Sequence, residues 1–141
     1  MPEQHVNWQP ISALRMIGSL IEGMLAGAEE QYATLQECRS RPHALENYTV
    51  NRVIEVYSEQ ADDLWIFEEQ ILRWRKLELT PSQRQDVGRL ATRLPMIREQ
   101  LTAILALAEA LKGRTIDTVL AKSDLELGIE CVLRNARKHK S

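Results

Sequence analysis

Apolar side chains recur at alternating three- and four-residue intervals through three successive stretches of the chain, and this rhythm sets the architecture. The clearest row is Val87, Leu90, Leu94, Ile97, Leu101, Ile104, Ala108 and Leu111. Such spacing puts every member on one side of an α-helix, where a strand would need strict alternation. An earlier row, Leu14, Ile17, Ile21, Met24, Ala28, Gln31, Leu35 and Cys38, predicts a helix from near Pro10 to about Arg39. Gly18, Gly23 and Gly27 lie inside it, each costing about 1 kcal/mol relative to Ala. Gly23 and Gly27, four apart, share a face. They fit either a loosened helix or one that a neighbour approaches closely.

Residues 40–47 read as a turn. A second helix is expected to run to about Glu78 on the row Val50, Val53, Tyr57, Gln60, Leu64, Phe67, Ile71 and Trp74. A parallel row, Ile54, Ala61, Trp65 and Leu72, widens its apolar face beyond a coiled-coil stripe. Thr80, Pro81 and Gln83 then form a helix start, with Thr as cap, Pro in the first position and Gln closing a capping box. Pro95 interrupts one backbone hydrogen bond of the third helix, and Gly113 suits its end. Beyond a short turn at Thr115, Ser123 with Glu126 opens a last helix carrying Leu125, Ile129, Val132, Leu133 and Ala136. The expectation is an all-α, antiparallel bundle of three long helices plus a shorter C-terminal helix, four-helix-bundle-like. Residues 1–141 form a single domain, with a polar arm at 1–9 and a basic tail at 134–141.

Composition narrows the class without naming a job. Hydrophobic residues are 44% and charged residues 27% of 141, a globular balance. Cys38 and Cys131 stand alone, so neither a zinc site nor a disulfide framework is supported. The polar start, Met1 to Pro10, has no secretory apolar core, and the longest apolar run, Ala103 to Ala108, falls short of a membrane span. A soluble cytoplasmic protein with no membrane partner is expected.

Apolar surface is in surplus. From Leu101 to Leu111 the third helix is apolar on nearly every side, and Trp65 and Ile66 flank the second helix. A homodimer sharing Trp65, Ile66, Ala103, Leu107 and Ala110 would cover this surface. The alternative is a monomer whose fourth helix completes the core.

The net charge of −2 hides segregation. Eleven acids face three bases between Glu22 and Glu69, whereas seven bases face two acids between Arg73 and Arg98. The basic run surrounds the turn between helices two and three, at one end of the bundle. A solvated, dipole-matched surface accounts for it. A nucleic acid or other polyanion held by Arg73, Arg75, Lys76, Arg84, Arg89 and Arg93 is the functional alternative.

Catalytic motifs are scarce. No glycine-rich loop, nucleophile elbow or metalloprotease motif is present, and His5, His43 and His139 are isolated. The remaining constellation is acidic: Glu55, Glu59, Asp62 and Asp63 on helix two, and Glu29-Glu30 on helix one. Carboxylates on two antiparallel helices can hold Mg²⁺ through oxygen ligands. Glu59-Gln60-Ala61-Asp62, followed by Asp63-Leu64-Trp65-Ile66-Phe67, resembles the E-x-x-D half-motif of the all-α nucleotide pyrophosphohydrolases. That family carries E-E-x-x-E on a preceding helix, and this chain offers Glu29-Glu30-Gln31-Tyr32-Ala33, with Ala33 in place of the third glutamate. The resemblance implies a Mg²⁺ site at Glu29, Glu30, Glu59 and Asp62 that positions water to cleave a nucleoside triphosphate. Helical geometry opposes it, because Glu55, Glu59 and Asp62 point away from the Leu64 seam. The leading expectation is a non-enzymatic, self-associating helical module without cofactor. A divergent Mg²⁺-dependent hydrolase and a polyanion binder are the alternatives.

Overall fold

The computed structural model describes residues 6–41 and 46–114. Within them the chain is helical: a 3₁₀ turn at Ile11–Ala13, then α1 (Leu14–Cys38), α2 (Asn47–Arg75) and α3 (Pro81–Lys112). The expected fourth helix, its capping box, Cys131, the basic tail, His5, His43 and His139 lie outside the described residues.

The centre of the fold is α3. All eight members of its predicted row are buried. Its start is built as the sequence required. Thr80 Oγ1 accepts from the Gln83 N–H, and Gln83 Oε1 accepts from the Thr80 N–H, with Pro81 in the first turn. Pro95 lies inside the helix on its exposed side, and α3 continues through it. Gly113 does end the helix, at a negative φ in the bridge region (φ −82°, ψ 2°) that needs no glycine.

Pairwise contacts give the chain directions. Glu22 of α1 reaches Arg89 and Arg93 of α3, and a Cβ added to Gly18 would stand 3.5 Å from the Leu90 side chain, so α1 and α3 run parallel. Glu68 of α2 meets Arg98 of α3, while Arg75 lies beside Ala91, so α2 runs antiparallel to α3. The close backbone approaches are those of α3 with α1 and of α3 with α2. Up-down-up order is therefore observed, but sequence neighbours α1 and α2 are not the closest pair.

Several details depart from expectation. Leu25, and not Met24, turns fully inward on α1, while Gln31 and Cys38 are half-buried. Helix α2 stops at Arg75, three residues short of Glu78, and the chain turns at Lys76 and Leu77. Gly23 and Gly27 are exposed, and no described atom would meet a Cβ there, so the close-approach account fails among the described residues. The last turns of α3 are not buried all round: Ala106 and Ala110 are exposed, and Ala103 and Leu107 are half-buried. Apolar character alone did not dictate burial: among the described residues, α1 and α2 pack on two sides of α3.

Taken with its 3₁₀ turn, Ile11–Cys38 is 28 residues long and apolar enough, by length and composition, to cross a membrane. Arg15 and Glu22 interrupt it, so no unbroken apolar run discloses it in the sequence. Leu14, Ile17, Ile21, Leu25, Ala28 and Leu35 are buried on one of its sides, and a core helix passes the same length test.

Candidate interaction surface

The described end of the polar arm, at Trp8 and Gln9, is docked on α2. Gln70, only 4% exposed, reads the main chain of Gln9 with both ends of its amide. Its Oε1 accepts from the Gln9 N–H at 2.7 Å, and its Nε2 donates to the Gln9 carbonyl at 3.2 Å. The buried Trp74 indole N–H donates to that same carbonyl at 2.9 Å. A buried amide left unpaired would be costly, so the extended arm is the partner that lets Gln70 sit inside. Pro10, with extended backbone (φ −68°, ψ 162°), joins the arm to the helical turn.

One residue earlier, Trp8 lies on α2. Its ring meets Trp65 edge-on (centroids 6.2 Å apart, 73° between planes), and the Arg73 guanidinium sits 4.4 Å from its centroid. Arg73 also bonds Glu69 at 3.3 Å. Helical spacing had no way to disclose this contact, since Trp8 and Gln9 belong to no periodic row. The available signal was an indole beside a residue able to bend back at Pro10.

Trp65 keeps 41% of its surface exposed despite Trp8, and Leu72, seven residues on, keeps 50%. Beside Leu72 a shallow recess of about 200 Å³ opens between the helices, walled by Glu68, Ile71 and Arg75 of α2 and by Ala91, Leu94 and Pro95 of α3. Of the five residues expected in self-association, Ile66 is half-buried next to Trp65. Ala103 and Ala110 share a side of α3 with the exposed Met96, at seven-residue intervals. Ala91 and Arg98, which face α2, mark a different side of that helix. The expected set is thus split between two faces.

The six cations of the basic end are likewise split. Arg73 bonds Glu69, Arg89 bonds Asp86 at 3.0 Å, and Arg93 bonds Glu22 at 3.2 Å. Arg75, Lys76 and Arg84 are exposed and make no ion pair among the described residues. Arg75 and Arg84 border a second recess of about 300 Å³ with Leu77, Leu79, Val87 and Gly88. Pairing follows position: the three bonded arginines face acids of their own or an adjacent helix, and the others project past the turn.

Glu29, Glu30, Glu59 and Asp62 are all exposed, and no group of three or more His, Cys, Asp or Glu side chains able to hold a metal converges among the described residues. Glu30 acts instead across the gap between α1 and α2. Partial burial, and secondarily the Glu30 charge, push the Tyr57 hydroxyl above its ordinary value of 10.0. A raised folded-state value means the unfolded chain releases the proton first. Stability should therefore be intact below about pH 10 and fall as pH rises through the Tyr57 transition. Denaturant titration of Tyr57→Phe should show a shallower alkaline loss; an unchanged slope would remove Tyr57 as its cause.

No protein-family model, curated protein or solved structure matches the chain.

Proposed function

We propose that the chain is a non-enzymatic helical interaction module that associates with itself. The observation that supports this most is Trp65 and Leu72, large apolar side chains left open two turns apart on α2, with a shallow recess beside Leu72. Isolated exposed apolar residues are ordinary, but two large apolar anchors in line, one of them at the edge of a concavity, have the composition of an interface centre. Sedimentation of the full chain at micromolar concentration should give a concentration-dependent dimer. Leu72→Asp should weaken it about 100-fold, by burying an unpaired charge. A strict monomer under these conditions would end the reading.

The basic end supports a second reading, polyanion binding, because Arg75, Lys76 and Arg84 have no carboxylate partner among the described residues. Binding of a single-stranded oligonucleotide should fall steeply with salt. Arg84→Ala should reduce the slope of log K against log salt by about one unit. No binding at roughly 50 mM salt refutes it.

A further inference from the structure

We infer that self-association uses an antiparallel, two-fold pairing of α2 with α2 of a second copy, in which Trp65 of each chain seats against Leu72 of the other and Asp62 meets Lys76. This pairing rests on the self-association reading and adds to it the surface and its register.

Charge identifies the occupant. Helix α2 is acidic through its middle, at Glu55, Glu59, Asp62 and Asp63, and basic at its end, at Arg73, Arg75 and Lys76. A parallel two-fold pair would set like charges side by side. An antiparallel pair sets the acidic middle of one helix, at Asp62 and Asp63, on the basic end of the other, so this surface complements itself. Both members of the central pair are free to respond: Asp62 and Lys76 are exposed and make no ion pair among the described residues.

The apolar row fixes the register. Ile54, Ala61, Trp65 and Leu72 follow one line along α2, half-buried in its first two members and open in its last two. Setting Trp65 against Leu72 of the second copy puts the two-fold axis between Glu68 and Glu69. At 100° per residue, Asp62 and Lys76 flank the row on the same side, and in a pair of this symmetry the same flanks meet. Carboxylates near the axis would repel if bare. Each is already neutralised, Glu68 by Arg98 and Glu69 by Arg73 at 3.3 Å.

The recess beside Leu72 receives the second copy's indole. Its α3 wall is low because Ala91 and Pro95 stand there. Trp8 supports Trp65 from the other flank, so the ring is held before association and loses little freedom on binding. Two other open apolar stretches among the described residues lack this combination. The α1 face bearing Met16, Leu20, Gly23 and Gly27 shows no such pairing of acidic and basic segments, and exposed Met96 of α3 has the Arg93 guanidinium against its sulfur.

Charge reversal tests the register in the full chain. Sedimentation equilibrium should show Asp62→Lys and Lys76→Asp each weakening the dimer about tenfold, and the double reversal recovering to within about threefold of the parent. Both sites are exposed, and unchanged helical circular dichroism and melting establish that the variants fold. A parent that dimerises while the double variant is no tighter than the singles overturns this register and leaves self-association standing. A parent that stays monomeric overturns both.

Discussion

Trp74→Ala should cost the protein about 3–5 kcal/mol, a large part of the stability of a domain this size. The side chain is among the largest fully buried ones and belongs to the same core as Ile71 and Leu64. Truncation leaves a cavity between helices and removes the donor that holds the Gln9 carbonyl at 2.9 Å. These losses can be told apart. Trp74→Phe keeps most of the packing and deletes the N–H, and since Gln70 still donates to the same carbonyl, its cost should be about 1 kcal/mol. Urea unfolding of the pair measures both. Amide exchange at Gln9, protected by Gln70 Oε1 at 2.7 Å, should accelerate in both variants, because each loses the indole N–H that fixes the neighbouring carbonyl. Equal costs for Phe and Ala would mean that the indole N–H, and not the filled volume, carries the effect.

Ile97→Ala should cost about 2–5 kcal/mol, while Met96→Ala, one residue away, stays within about 0.5 kcal/mol. Ile97 is 0% exposed at the middle of the central helix, and Met96 is 41% exposed. The ratio checks the rotation of α3 directly. A helix turned by one residue, 100°, would reverse the order of the two losses. Denaturant midpoints at constant slope give both values.

How much was legible follows from where each signal resides. The three long helices could be read because burial at three-four intervals leaves a one-dimensional trace, and the α3 row is buried without exception. Its start was legible for the same kind of local reason, since Thr80, Pro81 and Gln83 act on neighbours only three residues off. Met24 against Leu25 shows the limit: adjacent residues of similar apolarity differ by 100°, and the neighbour's position selects between them.

The surface was less legible. Trp65 could be picked out as surplus, but its neighbour Trp8 is 57 positions away and belongs to no helix. Three of the six basic-end cations turned out to be bonded to Glu69, Asp86 and Glu22, a division that counting charges along the chain cannot make. The acids at Glu29, Glu30, Glu59 and Asp62 shared a motif on paper and stand exposed in space.

Periodicity and capping, each acting within a turn or two, therefore determined by themselves that this chain is helical and where α3 begins. Only the tertiary structure decided that α3 is central, that α1 runs parallel to it, that Gln9 closes on Gln70 and Trp74, and that Trp65 and Leu72 keep much of their surface open. The reason is range: a helix is set by neighbours three or four residues away, whereas its cover is set by segments that no local spacing rule connects to it.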